Sequence, residues 1–317
     1  MVIIDNTITY NEILNAWWPL VKNMLAQGTV YQKERHMRNE ICPQLGTLPI
    51  TEIKESVLVD FYDRLRGRGL APSSIRGRQN IISPSLQWAV ERGYIPYNPA
   101  RLLRLPHKAR TITVPYSKDE ILRMLAAART MPGYETMHDL ILLAVRTGLR
   151  RGELYGLWRS AIDLPRNCLY VRRALSSPTY GQVEIIPPKT AQSRRRVDLD
   201  ADSVEMLQRR CATLHSRWVF EDLSRAGCMP VPWHTHTQLA AVCKQAGVEY
   251  KTFRALRHTH ATDQLRMGVH PKTVAERLGH TSVATTLDIY SHALPTMQST
   301  AVQASDRYWS SPVDLTA

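Results

Sequence analysis

Apolar residues recur at helical spacing through the first hundred positions, and they predict four helices between residues 8 and 105. The first covers 9–26, with Trp17, Trp18 and Leu25 available for burial, and the second covers 30–41, closed by Pro43 and Gly46. A third covers 51–65. Pro72, Ser73 and Ser74 open a fourth that carries Ile81, Leu86 and Trp88 as far as Gly93. Residues 101–115 lose the periodicity and hold Pro106 and Pro115, which suits a linker. Ser117 to Glu120 is a capping box starting a helix that runs through Ala128, and an apolar helix over 139–147 stops at Gly148. The pattern then changes period. Alternating segments at 168–174, 183–187 and 195–199 predict a small antiparallel sheet. Helices return over 201–214, 237–246 and 252–267, and a short one ends at Gly279. Another, capped by Ser282, carries Tyr290 in its last turn, and a helical stretch reaches about Tyr308. The expectation is a mostly α chain with a small antiparallel sheet, in two domains. A helical bundle fills residues 1–105, 106–115 link, and an α+β domain fills 116–317 with a tail from about 293.

Charge narrows the function. The chain of 317 residues carries a formal net charge of +13, and the excess is shared: 15 basic against 9 acidic side chains in residues 1–110, and 26 against 19 in the rest. Two basic lobes rather than a basic tail fit a clamp on a polyanion, with nucleic acid first because neutralised phosphates release counterions. Solvated Lys and Arg faces are the plainer alternative. Arg64, Arg66, Arg68, Arg76 and Arg78 cluster around the loop joining the third and fourth helices, and Arg151, Arg194 and Arg195 are further candidates for DNA phosphates. The five cysteines are scattered without a C-x-x-C pair, so neither a disulfide framework nor a zinc knuckle is indicated. The N-terminus has no signal-peptide pattern and no apolar run approaches a membrane span, so a soluble, cytoplasmic protein with no membrane partner is expected.

The chemistry concentrates between Thr252 and Tyr290. Arg254, Arg257 and His258 stand at i, i+3 and i+4 of one helix, His280 follows the glycine stop, and Tyr290 closes the stretch. Arginines, an imidazole and a phenol converging without a carboxylate or thiol suit a phosphodiester: fixed cations for the phosphate oxygens and an oxygen nucleophile. His234 and His236 form an H-x-H pair lacking a third ligand in context, so no metal is assigned.

LRHTHAT, RLGHTSVATT and DIYSH resemble the C-terminal boxes of the tyrosine recombinase (phage integrase) family. The resemblance covers roughly the last two-thirds of the chain, and APSSIRGRQNIISPSLQWAVERGYIPYNPA resembles the end of the family's N-terminal DNA-gripping domain. It implies an α+β catalytic domain of the DNA breaking-rejoining type. Tyr290 would be the nucleophile, Arg150 in TGLRRGELYGLW the first-box arginine followed by the acidic Glu153, Arg257 the second-box arginine and His280 the third-box histidine. Lys189, in PPKTAQSRRRV, would be the hairpin lysine that protonates the leaving oxygen. One position departs from the pattern: the family places His three residues before the second-box arginine, and here that place holds Arg254. Arginine keeps the phosphate contact but moves no protons at neutral pH, leaving His280 or His258 to do so. The implied function is site-specific recombination through a 3′-phosphotyrosyl intermediate, for a mobile element, by a tetramer on double-stranded DNA with accessory DNA-bending proteins. Because the intermediate stores the ester's energy, rejoining calls for no cofactor, neither ATP nor metal. A regulator that binds DNA without chemistry, and a topoisomerase or resolvase using the same ester chemistry, are the alternative readings.

Overall fold

The computed structural model describes residues 7–103, 114–177, 182–187, 191–221, 229, 232–290 and 297–310. The chain divides into two units, Met1–Thr111 and Ile112–Ala317. Among the described residues no helix is long and apolar enough to cross a membrane.

The first unit is helical. Helix α1 (Tyr10–Lys22) starts at a reciprocal cap in which the Glu12 carboxylate accepts the Thr9 N–H at 2.7 Å and the Thr9 hydroxyl accepts the Glu12 N–H at 3.4 Å. It buries Tyr10, Ile13, Leu14, Trp17 and Trp18 in one core with α3 (Glu55–Gly67) and α4 (Pro72–Glu91). The second helix departs from the periodicity. Helix α2 (Gln27–His36) passes through a π-helical turn, Met37–Ile41, and continues as Cys42–Leu45, so Pro43 occupies the first turn of a new helical segment rather than closing the old one. The extra residue of the π turn rotates the helix face, and Glu40 is buried. This corrects one basic residue. Arg78 is not a DNA contact: only 6% exposed, it donates to Glu40 Oε1 at 3.1 Å and to the Ser74 carbonyl at 2.8 Å. A buried carboxylate needs a cation, and a surface arginine would have left Glu40 uncompensated.

In the second unit Ser117 and Glu120 cap α5 (Lys118–Thr130) as the box predicts. Helices α6 (Glu135–Thr147) and α7 (Arg151–Tyr155) follow, separated by Gly148 in the left-handed region at φ 69°. The predicted strand over 168–174 divides at Arg172 and Arg173. Its first part, β2 (Cys168–Val171), joins β1 (Ile162–Asp163) and β5 (Arg195–Asp198) in an antiparallel sheet ordered β1-β2-β5, with Val171 opposite Arg195. Beyond the break, β3 (Ala174–Ser176) pairs instead with β4 (Glu184–Ile186). At the break the Arg173 guanidinium lies 3.2 Å from the Trp158 ring centroid, a stacking contact that an unbroken strand does not predict.

Helix α8 (Ala201–Ala212) is fastened by Asp139, whose two oxygens accept from Arg209 and Arg210 at 2.8 Å each. Helices α9 (Thr235–Gln245), α10 (Phe253–Arg266), α11 (Pro271–Leu278), α12 (Val283–Tyr290) and α13 (Met297–Ser310) complete the order. Helix α10 packs against α6 and α11 and is buried almost all round, from Ala255 through Thr262.

Candidate active site

Two helix ends and one buried arginine build the site. Arg257 on α10, 7% exposed, donates through Nη1 to the Gly148 carbonyl at 2.7 Å and through Nη2 to the Leu278 carbonyl at 2.8 Å. Those carbonyls lie at the C-terminal ends of α6 and α11, where orphan acceptors and the negative end of the helix dipole favour a cation. A single guanidinium therefore sets the separation of the two turns that carry Arg150 and His280.

Gly148 makes the first turn sterically accessible. At its φ of 69° a Cβ would be strained, and it would also meet His260 Cδ2 at 2.5 Å and Leu278 at 2.7 Å. Gly148→Ala is expected to lower the unfolding free energy by roughly 2–4 kcal/mol, combining overpacking with left-handed strain, as urea melts of the folded protein will show. Two residues on, Arg150 is fixed at the N-cap of α7. Its N–H donates to Glu153 Oε2 at 2.9 Å, its Nη1 to Glu153 Oε1 at 2.7 Å and its Nη2 to the Gly279 carbonyl at 3.3 Å. Glu153 is buried beneath it. Burial pushes that carboxyl up, but hydrogen bonds and charge from Arg195 and then Arg150 outweigh this and hold it below the ordinary carboxylate range.

His280 follows Gly279. Its N–H donates to the Ala275 carbonyl at 2.9 Å, and its Nδ1 is 2.8 Å from the Oγ1 of Thr286, a fully buried residue. Burial, followed by the charges of Arg257, Arg150, Arg195 and Arg254, lowers its pKa to about 4. The imidazole is therefore neutral at physiological pH. Nε2 makes no hydrogen bond among the described residues and remains for a ligand. Arg254, exposed one turn before Arg257, lines the same cleft of about 620 Å³ as Arg150, Arg151, Arg257, His236 and His280.

His260, on the buried side of α10, is also lowered to about 4, by burial first and then by the Arg277 charge. In the unfolded chain each imidazole takes its proton near 6.5. Because both folded values are depressed, the unfolded chain binds more protons between pH 4 and 6.5. Stability from these groups is complete above about 6.5 and is lost as pH falls through that window. The melting temperature is expected to drop between pH 6.5 and 4, and His260→Gln to flatten part of the drop.

Of the residues picked from the sequence, Arg150, Arg254, Arg257 and His280 are brought together. Lys189 lies outside the described residues. Tyr290 closes α12, and its side chain lies outside them. His258 is corrected: at 4% exposure it is buried in the second unit and does not line the cleft with Arg254 and Arg257. Arg195 is corrected as well, since its side chain is 6% exposed and its guanidinium donates to Glu153 and to the Arg277 and Ser193 carbonyls, so it is held inside the protein rather than presented to DNA. Arg151 and Arg194 are exposed. In the first unit Arg64, Arg66 and Arg68 are exposed, although Arg64 donates to Gln44 at 2.8 Å and Arg66 pairs with Asp63; Arg76 is half-buried. The sequence reading passed over Thr286, whose only signal was a hydroxyl six residues after His280. In the sequence His236 stands only as half of an H-x-H pair to which no metal is assigned, whereas in the fold it lines the arginine cleft.

Residues 116–297 match the model of the phage integrase family, and residues 9–66 match the N-terminal SAM-like domain of phage integrases. The chain belongs to the phage integrase family. As a phage integrase it is similar to the tyrosine recombinase XerC-like protein of Caldanaerobacter subterraneus subsp. tengcongensis, at 29% identity over 93% of this chain and 82% of the relative. It is also similar to the ICEBs1 integrase of Bacillus subtilis, at 23% identity over 84% and 75%. Among solved structures, the Tn1549 transposon integrase with a circular intermediate DNA shares the fold at a TM-score of 0.81 and 20% identity, over 94% of this chain and 99% of that one. A lambda integrase tetramer on a Holliday junction shares it at a TM-score of 0.69 and 21% identity, over 89% and 78%. This phage integrase is a tyrosine-type site-specific recombinase, a DNA breaking-rejoining enzyme with a mostly helical, two-part fold and small antiparallel sheets.

Proposed function

We propose that the integrase cleaves double-stranded DNA with Tyr290 as nucleophile and Arg150, Arg254, Arg257 and His280 as the phosphate-binding set. The observation that carries this reading is the cleft lined by four arginines, Arg150, Arg151, Arg254 and Arg257, and by the neutral imidazole of His280, with Arg257 tying together the turns that carry Arg150 and His280. The Tyr290 oxygen bonds to phosphorus and the 5′-oxygen leaves, so a 3′-phosphotyrosyl ester and a free 5′-hydroxyl form. Negative charge accumulates on the non-bridging oxygens in the five-coordinate transition state, and preorganised guanidiniums stabilise it there more than in the ground state. Neutral His280 supplies Nε2 for a proton or a hydrogen bond, whereas Arg254 stays charged throughout and holds phosphate only. Lys189 delivers the proton to the leaving oxygen. Attack by another strand's 5′-hydroxyl on the stored ester reverses the step and exchanges partners.

In this reading residues 1–105 grip DNA, 106–115 cross its backbone and 116–317 carry the chemistry, with exposed Arg64, Arg66, Arg68, Arg151 and Arg194, and half-buried Arg76, supplying phosphate contacts. Four copies act on two duplexes, with accessory DNA-bending proteins, for a mobile element and in the cytoplasm; the lambda integrase tetramer on a Holliday junction supports the fourfold assembly. A nicked substrate that traps the intermediate tests the reaction. Wild-type protein is expected to form a denaturant-resistant complex whose DNA-linked peptide contains Tyr290, and intact sites are expected to exchange strands. Binding without a complex would support a regulator, and relaxation of supercoils without exchange a topoisomerase.

A further inference from the structure

Arg195 sits where the separate pieces of the site meet. Its Nη1 and Nη2 donate to the two oxygens of Glu153 at 3.2 and 2.9 Å, and its Nε donates to the Arg277 carbonyl at 2.6 Å. Nη1 also reaches the Ser193 carbonyl, on its own segment, at 3.2 Å. Each partner leads to a reacting group. Glu153 holds both the backbone and the guanidinium of Arg150. Arg277 lies in the last turn of α11, whose end at Gly279 (φ 67°) places His280. Gly279 itself lies against the same guanidinium, since a Cβ added there would stand 2.9 Å from Arg195 Nη1. The Arg195–Glu153 pair is buried on both sides, each side chain 6% exposed. Such pairs add little net stability, because desolvation offsets most of the attraction. A bidentate fork joined to a third carbonyl does fix orientation.

We propose that Arg195 is a positioning residue for DNA cleavage, which keys Glu153, and through it Arg150, to the turn bearing His280 without touching DNA. The proposal rests on the reading that Arg150 and His280 act on the scissile phosphate. The groups facing His280 are Arg254 and Arg257 from α10, Arg150 from the turn before α7, Arg195 from β5 and Thr286 from α12. Removing one of these cations also raises the imidazole's pKa, so the titration reports whether the Arg195 charge faces His280, while the split between cleavage rate and DNA affinity and the rescue by lysine separate positioning from scaffolding.

The test compares Arg195→Gln, Arg195→Lys, Glu153→Gln and the double variant Glu153→Gln/Arg195→Gln in the full chain. Four quantities are measured: single-turnover formation of the covalent complex at saturating DNA, DNA affinity, the melting temperature, and the His280 titration by NMR. Arg195→Gln is expected to slow cleavage at least tenfold per folded molecule, with affinity changed less than twofold. Lysine is expected to recover part of the rate. The double variant is expected to be no slower than the slower single, because both act on one network. The His280 pKa is expected to rise from about 4 toward its ordinary value. Should Arg195→Gln fail to fold, the double variant, which buries no lone carboxylate, carries the comparison. An unchanged rate, a loss seen as salt-sensitive weaker DNA binding, or a loss that follows only the folded fraction overturns the proposal. If wild-type protein forms no covalent complex, the reading of the reaction itself fails; if wild type forms the complex and Arg195→Gln forms it at the same rate per folded molecule, the role of Arg195 alone fails.

Discussion

Tyr290→Phe is expected to abolish the covalent protein–DNA complex while leaving DNA affinity within twofold of wild type. The substitution removes one oxygen and keeps the ring, and the arginine cleft keeps its cations. With Tyr290 as the proposed nucleophile, its removal from an assembled site is expected to cost on the order of 10⁴-fold or more. A competing phenol gives the experiment its control. Tyr250 is 42% exposed and lines the same cleft as Arg254 and His280, so among the described residues it is a phenol within reach of a bound phosphate. Tyr250→Phe is expected to retain the complex. Transfer of the DNA-linked peptide from Tyr290 to Tyr250 would reverse the assignment.

Arg257→Gln carries the second largest expected effect, on rate and stability together. A donor aimed at developing oxyanion charge contributes roughly 3–4 kcal/mol, so cleavage at saturating DNA should fall by about 10²–10³-fold. The same guanidinium caps the Gly148 and Leu278 carbonyls, which accept from no other side chain among the described residues, and leaving such groups unpaired costs about 1–3 kcal/mol. The melting temperature should therefore fall as well, unlike that of Arg254→Ala, whose side chain is exposed. Rates are compared per folded molecule at a temperature well below the melt. A deficit that vanishes after that correction would make Arg257 a helix cap and no more.

These expectations draw on two different kinds of information. The helical stops and starts were open to reading in the chain, because each is decided within four residues. Thr9 with Glu12 and Ser117 with Glu120 close their own capping boxes, and Gly148 and Gly279 take the left-handed conformation at the ends of α6 and α11. The boxes around Arg150, Arg257, His280 and Tyr290 were legible in a different way, through the resemblance of their short motifs to those of a known family. Which cation faces DNA was not. In the run Arg194-Arg195-Arg196, strand alternation sends Arg195 and Arg196 to opposite sides of β5, but it does not say which side is the interior. That depends on Glu153, 42 positions earlier in the chain. Arg78 likewise turns inward because a π turn buries Glu40, 38 residues away. On α10, periodicity could not separate Arg257 from His258, since a helix packed on several sides has no polar face to read. Local backbone chemistry thus set where the elements begin and end, and the sequence alone determined it. The destination of each buried charge was decided only in the folded chain, because a charge leaves water only where a distant partner is already in place.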